Sequence, residues 1–142
     1  MLDLSITNNT KFKINKKRLF RIVDYVLART DKHPRDPELS VVITGDRTIK
    51  RLNNIYLKKN VPTDILAFPG EGKFIGEILI DYEQIKRQAK DYGNTAKNEF
   101  VFILIHGLLH LTGMKDDTEK KKIAMIGLGE KYFNGLKKKK II

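Results

Sequence analysis

The segment 100–111 constrains the fold of this chain more than any other part of the sequence. It is apolar on nearly every side, and its surroundings predict a helix over about 94–112 that ends at Gly113. A helix without a polar face has to be covered by other elements, so we expect this one at the centre of the fold. Two histidines, His106 and His110, lie inside it, and burying imidazoles there is costly unless they have partners.

The other hydrophobic patterns predict a mixture of strands and helices around that segment. Alternating or β-branched apolar residues predict strands, and apolar residues at helical spacing behind a capping residue such as Asn15 or Asp81 predict helices. The turn-rich stretch 69–72 indicates a hairpin between the last two strands, so we expect a mixed sheet. The predicted strands are 2–6, 39–44, 64–68 and 74–80, and the other predicted helices are 15–27, 46–56, 81–90 and 118–133.

The periodicity also predicts which helical residues are buried. In the helix 46–56, Asp46 is expected to be the cap, and Ile49, Leu52, Ile55 and Tyr56 are expected to be buried. The lysine-rich end of the chain is expected to fray. In the helix 15–27, the predicted buried residues are Leu19, Ile22, Val23, Val26 and Leu27.

Composition limits the chemistry that the chain can perform. It has no cysteine, so any metal has to be held by nitrogen and oxygen, and only three histidines are present. The formal net charge of +11 favours nucleic acid as a partner over an anionic membrane surface. We see no signal or membrane-spanning segment and no linker, so we expect a single domain, 1–142, in the cytoplasm.

The two histidines suggest a metal site. His106 and His110 are four residues apart, so on a helix both imidazoles project from one face. Asp116 follows shortly after Gly113, where the reversed chain could return a carboxylate to the same point. Three nitrogen and oxygen ligands leave positions free for water, as a catalytic site requires. The alternative is a pair of core histidines that are hydrogen-bonded to the backbone.

A divalent ion at such a site favours hydrolysis. It would lower the pKa of its water from ~16 towards ~7 and polarise a phosphoryl or carbonyl oxygen. In helical metalloproteases the residue after the first histidine is a glutamate that acts as general base, whereas here it is Gly107. Peptide hydrolysis by that route is therefore disfavoured.

Three sequence motifs resemble those of a known family, the YbeY proteins, which are bacterial metal-dependent endoribonucleases of rRNA maturation. Segment 106–116 reads HGLLHLTGMKD, similar to the family signature His-Gly-x-Leu-His-Leu-x-Gly-Tyr-Asp-His. Segments 52–56 and 62–69 read LNNIY and PTDILAFP, and 76–78 reads GEI. The motifs span residues 42–117, about half of the chain.

The resemblance implies an α+β, zincin-like fold with a mixed sheet of four strands, about five helices and a central metal-binding helix. It implies a single-strand-specific endoribonuclease of rRNA maturation and ribosome quality control, which hydrolyses phosphodiester bonds with a metal-activated water. The implied cofactor is one divalent ion, zinc, held by His106, His110 and Asp116. The implied partners are an rRNA precursor and the ribosome, with no membrane.

Two positions depart from the family pattern. Asp116 replaces the family's third histidine, and because a carboxylate is a competent zinc ligand we expect the site to persist with altered affinity or metal preference. Leu57 replaces an arginine regarded as important for activity. Lys58 or Lys59 could neutralise phosphate there, but lysine lacks the bidentate fork of arginine.

Three other functions remain open from the sequence. The chain could be an RNA-binding or ribosome-binding module with a structural metal, a zincin-like peptidase with Glu77 or Asp64 as base, or an iron oxygenase with two histidines and one carboxylate. Asp64 either braces the metal site or forms a turn, and Glu77 is either a surface acid or a base near the ion. His33, in a polar loop, is expected to be a solvated surface residue.

Overall fold

The computed structural model describes all 142 residues and has five helices and four strands. This confirms the predicted α+β class. None of the helices is both long enough and apolar enough to cross a bilayer. In chain order the elements are β1 (Asp3–Asn8), α1 (Lys16–Leu27), β2 (Glu38–Thr44), α2 (Asp46–Leu57), β3 (Ile65–Pro69), β4 (Phe74–Asp81), α3 (Tyr82–Asp91), α4 (Ala96–Leu111) and α5 (Glu119–Lys138).

The four strands form one mixed sheet with the order β1-β2-β4-β3. Strands β1, β2 and β4 run parallel, whereas β3 pairs antiparallel with β4, from Ile65 opposite Ile80 to Pro69 opposite Gly76. The mixed sheet and the β3–β4 hairpin are therefore confirmed. Strand β3 is at the edge of the sheet, so its outer side carries no neighbouring strand.

Helix α4 lies at the centre of the fold, as its apolar composition predicts. It packs against β3, β4 and helices α1, α3 and α5. The larger hydrophobic cluster joins it to Ile78 and Ile80 of β4 and to the buried residues of α1, all five of which are those predicted. On the opposite face of the sheet, Ile49 of α2 packs on Leu66 and Leu79.

Side-chain caps begin four of the five helices. Asn15, Asp81, Thr95 and Thr118 each accept a hydrogen bond from a backbone N–H in the first turn of the helix that follows. Such a cap satisfies an N–H group that has no partner within the helix. At the other end of α4, Gly113 has a φ of +98°. This left-handed backbone conformation favours glycine and reverses the chain there.

Helix α2 differs from its prediction at both ends. Gly45, rather than Asp46, occupies the cap position, and the Asp46 carboxylate is instead bound by an arginine of α3. Ile49 is buried, but Ile55 and Tyr56 are 60% and 62% exposed. The reason is that α2 covers only a small part of the sheet, so its last turn extends beyond the apolar surface beneath it.

The C-terminal end is helical and packed against the core, which contradicts the expectation that it frays. Helix α5 continues to Lys138, five residues past the predicted end. Lys140 then adopts a left-handed conformation, which turns the chain back. The N–H of Ile141 donates to the carbonyl of Leu136 at 2.9 Å, and Ile141 and Ile142 pack against the main core. Burial of these two apolar residues is what retains the tail.

Candidate metal centre

Helix α4 brings the two histidines together on one face. The Nε2 atoms of His106 and His110 are 3.1 Å apart, and the rings meet edge to face at 84°. Both side chains are half-buried. The spacing follows directly from the helix, because residues four apart lie one above the other. When both rings are neutral and carry their proton on Nδ1, each Nε2 atom presents a lone pair toward the same point.

Asp116 completes the cluster from outside the helix. After the left-handed turn at Gly113, the chain returns so that the Asp116 Oδ2 atom lies 3.7 Å from His106 Nε2 and 3.6 Å from His110 Nε2. The ligand atoms of the three residues all lie within 4.8 Å of one another. The structure therefore brings together the three residues that the sequence singled out.

The shape of this triangle fits a small divalent ion. Ligands bound at about 2.0–2.1 Å in tetrahedral geometry are ~3.3 Å apart. The observed separations of 3.1, 3.6 and 3.7 Å bracket that value, so modest adjustments would place all three atoms on one ion. Two imidazoles and one carboxylate are also the donor types that zinc accepts. The residues present therefore fit the ion that the fold family implies.

The environment of His106 favours its neutral imidazole form. Burial lowers the pKa of His106 below its usual range, and the neighbouring His110 lowers it further. The carboxylates of Asp116 and Asp64 act in the opposite direction but do not reverse the shift. A neutral ring has a free lone pair, so His106 is ready to act as a metal ligand at neutral pH.

A cleft of about 1430 Å³ runs along α4 beside the edge strand β3, with α5 on its other side. Both histidines of the candidate metal centre, His106 and His110, line it. Two lysines, Lys115 and Lys122, line the same cleft and place positive charge near the site. Leu57 also lines it and is 52% exposed, so the position where an arginine was expected does face the cleft.

A group of polar residues at one end of the cleft escaped the sequence analysis, with the exception of Asp64. The Nε2 atom of Gln88 donates to Asp64 Oδ2 at 3.1 Å and to Glu99 Oε2 at 2.8 Å. Glu99 is only 8% exposed. Glu99 could have been found from the sequence, because it lies seven residues before His106 and so shares a face with it on an otherwise apolar helix.

Two residues considered in the sequence analysis lie outside the site. The neighbours of Glu77 in β4, Gly76 and Ile78, both face α4. Because side chains alternate along a strand, Glu77 lies on the opposite face of the sheet. This removes it as a base near the ion. His33 is half-buried rather than solvated, because its ring nitrogens lie within 2.9 Å of the Pro34 carbonyl and 2.8 Å of the Leu27 carbonyl.

Comparison with known proteins identifies the family of this chain. The sequence model of the family described as "Endoribonuclease YbeY" matches residues 5–137. The endoribonuclease YbeY of Petrotoga mobilis is 34% identical over 139 residues, which cover 95% of this chain and 96% of that protein. The YbeY of Syntrophomonas wolfei is 30% identical over 144 residues and covers 92% of each chain.

The fold is also found among solved structures. The solution structure of TM1509 from Thermotoga maritima matches with a TM-score of 0.64 and 26% sequence identity, over 92% of this chain and 86% of that one. The family match extends over nearly the whole sequence and includes the helix that carries the two histidines. The chain therefore belongs to the YbeY endoribonucleases, a bacterial family of metal-dependent hydrolases.

Proposed function

We propose that residues 1–142 form a single endoribonuclease domain, specific for single-stranded RNA, that acts in rRNA maturation and ribosome quality control in the cytoplasm. Its partners are rRNA precursors and the ribosome. The observation that carries this proposal is the convergence of three ligand atoms within 4.8 Å in a cleft of a protein with a net charge of +11. A strongly basic protein attracts a polyanion, and the ligand cluster lies where its backbone would pass.

In this proposal, His106, His110 and Asp116 hold one divalent ion, zinc. When bound, the ion supplies Lewis acidity for phosphodiester hydrolysis and lowers the pKa of water from ~16 towards ~7. The protein keeps His106 neutral by burial, so the imidazole binds without first losing a proton. The side chains of Lys115 and Lys122, which line the cleft, balance the charge of the phosphates.

The ligand assignment is tested by His110→Ala. The variant should lose stoichiometric zinc, because only two of the three ligand atoms remain. Metal content is measured by elemental analysis after dialysis against zinc and then buffer. The matched control is His33→Ala, since His33 is the one histidine outside the cluster, and it should retain the wild-type metal content. Unchanged zinc in His110→Ala would contradict the assignment.

The activity is tested on single-stranded rRNA precursor fragments. Zinc-loaded protein should cleave them internally, a chelator should stop cleavage, and added zinc should restore it. Fully paired RNA of the same sequence is the control and should remain intact. Single-stranded fragments that survive the zinc-loaded protein would contradict the nuclease function.

The exposed Leu57 at the cleft favours a second candidate, an RNA-binding or ribosome-binding module with weakened catalysis. Without a guanidinium at this position, the cleft lacks one bidentate partner for phosphate. The two functions are separated by comparing thermal unfolding with turnover. A melting temperature that depends on zinc, together with turnover that does not, would identify the binding module.

A further inference from the structure

One end of the cleft holds a set of hydrogen-bonded polar side chains. The two hydrogens of the Gln88 amide are donated to Asp64 Oδ2 at 3.1 Å and to Glu99 Oε2 at 2.8 Å. On its other side, Gln88 Oε1 accepts from Gln84 Nε2 at 3.5 Å, which sets the orientation of the amide. Gln88 therefore holds two carboxylates in place rather than leaving them free to rotate into solvent.

Glu99 lies in line with the metal-ligand cluster. It precedes His106 by seven residues on α4, which corresponds to about 10 Å along the helix axis. Half-buried Ile103 lies between them on the same helix face and also lines the cleft. The nucleotide adjacent to the one at the candidate metal centre would place its ribose or base over Ile103 and would reach Glu99.

The acidic side chain of Glu99 disfavours the binding of a phosphate group at this end of the cleft. A carboxylate repels the RNA backbone, so Glu99 is suited to a neutral part of the substrate that carries hydrogen-bond donors. Its Oε1 atom has only a long contact, 3.5 Å from Asn94 Nδ2, and is available as an acceptor. Among the bases, guanine presents two adjacent donors, N1–H and the N2 amine, and single-stranded RNA leaves that edge free.

An exposed aromatic ring lines the same cleft. Tyr92 follows Gln88 by one helical turn at the end of α3, lines the same cleft and is 77% exposed. Its ring stacks on no other aromatic ring in the structure. An exposed, unpartnered aromatic ring in the lining of a cleft is a surface on which a base can stack, independently of base identity.

We propose that Tyr92 and Glu99 form a guanine-selective subsite next to the metal centre, with Gln88 as the residue that positions the Glu99 carboxylate. Tyr92 stacks the base, and Glu99 accepts hydrogen bonds from its N1–H and N2 amine. The subsite determines which nucleotide flanks the scissile phosphate, so its biological role rests on the nuclease function proposed above. Its binding of the base is independent of cleavage.

The test uses a fluorescent reporter and needs no turnover. The chain has no tryptophan, so Tyr92→Trp introduces a single one that preserves stacking. The zinc-loaded variant is titrated with the 5′-monophosphates of guanosine, inosine, adenosine, cytidine and uridine. Guanosine monophosphate should quench the tryptophan at a concentration at least about tenfold lower than the adenosine, cytidine and uridine compounds. Inosine monophosphate, which lacks the N2 amine, should be intermediate.

The Tyr92→Trp/Glu99→Gln variant should bind all five nucleotides within about twofold of one another, because an amide replaces the paired acceptors. Tyr92→Trp/Glu71→Gln removes the same charge from an exposed turn and should keep the guanine preference. Circular dichroism establishes that each variant is folded. Equal quenching by all five nucleotides in Tyr92→Trp, or a preference that survives Glu99→Gln, would overturn the proposal. Selective binding without any RNA cleavage would instead contradict only the nuclease function.

Discussion

Asp81 has an unusual environment for a carboxyl group. Its Oδ1 atom accepts from the N–H groups of Glu83 and Gln84 at 3.1 and 3.2 Å, but its fully buried Oδ2 atom has no partner. Burial, with a further effect from the nearby Asp46, raises the pKa of Asp81 to about 7. Asp46 is hydrogen-bonded to Arg87, and this contact lowers the pKa of Asp46 to about 2.

Replacing Asp81 with Asn should therefore stabilise the protein at neutral and alkaline pH. The folded carboxyl keeps its proton up to about pH 7, whereas the unfolded one loses it near its usual value of 3.8. Between these values the folded state binds more protons, so the free energy of unfolding of the wild type falls as pH rises. Asn retains the cap and has no such charge to bury.

We expect Asp81→Asn to raise the free energy of unfolding by roughly 1–2 kcal/mol at pH 8, with no gain below about pH 4. Urea denaturation at several pH values measures this difference. Glu38→Gln, at an exposed position of β2, is the control and should follow the wild type. A pH-independent difference between Asp81→Asn and the wild type would contradict the assignment of the raised pKa.

Leu57→Arg should increase RNA cleavage. The side chain lines the cleft and is half exposed, so a guanidinium there could form paired hydrogen bonds with a phosphate. We expect kcat/KM to rise by about tenfold or more, since a hydrogen bond to a charged group contributes about 1.5–3 kcal/mol. Leu57→Lys adds the same charge without the fork and should gain less. Equal gains for both variants would show that only the added charge matters.

At the residue scale, the sequence predicted that His106, His110 and Asp116 come together, but it missed the polar residues beside them. His106, His110 and Asp116 were recognisable because a helical spacing and a glycine turn bring them together by local geometry. Gln88 and Glu99 are on different helices, α3 and α4, and they meet only through tertiary packing. Periodicity carries no information on that pairing.

The close approach of β3 and α4 to one position of β4 requires glycine there. Gly76 has a φ of +149°, and a Cβ at that position would lie 2.5 Å from the carbonyl oxygen of Phe68 and 2.8 Å from the side chain of Leu111 in α4. The Leu111 side chain can rotate away from an added methyl group, but the Phe68 carbonyl oxygen belongs to the backbone of β3. The backbone oxygen cannot move without disturbing the β3–β4 pairing.

Gly76→Ala should therefore lower the free energy of unfolding by about 2 kcal/mol or more, because it combines a steric clash with an unfavourable backbone conformation. Gly127→Ala is the matched variant: it lies within α5, a Cβ there meets nothing within 4 Å, and it should stabilise the protein by up to about 1 kcal/mol. Thermal unfolding of the two variants measures both effects. Equal destabilisation by the two changes would show that loss of glycine itself, not the clash, matters.

At the element scale, all nine helices and strands were predictable. Apart from the cap of α2, the errors concern which residues are covered by other elements. Caps such as Thr95 are local signals, so α4 begins where the sequence indicated. The exposure of Ile55 and Tyr56 depends on how far the sheet extends beneath α2, which the sequence does not encode locally. The tail likewise packs through Ile141 and Ile142 onto a core formed by distant residues.

The charge of the whole molecule predicts strong salt dependence of RNA binding. If the protein contacts about four phosphates of a single-stranded RNA, its affinity for that RNA should fall by roughly 50-fold between 50 and 200 mM salt. Fluorescence anisotropy with a labelled oligonucleotide measures this slope. Lys122→Ala, in the cleft, should reduce the slope, whereas Lys137→Ala, on an exposed part of α5 outside the cleft, should leave it unchanged. The same slope for both variants would contradict binding along the cleft.

The open edge of β3 has a consequence for the protein at high concentration. An unpaired strand edge can add a strand from another molecule and so begin aggregation. Here the edge strand has five residues and ends in Pro69, which offers no N–H to an incoming strand. Short length and a terminal proline therefore both disfavour the addition of a strand from a neighbouring copy at this edge.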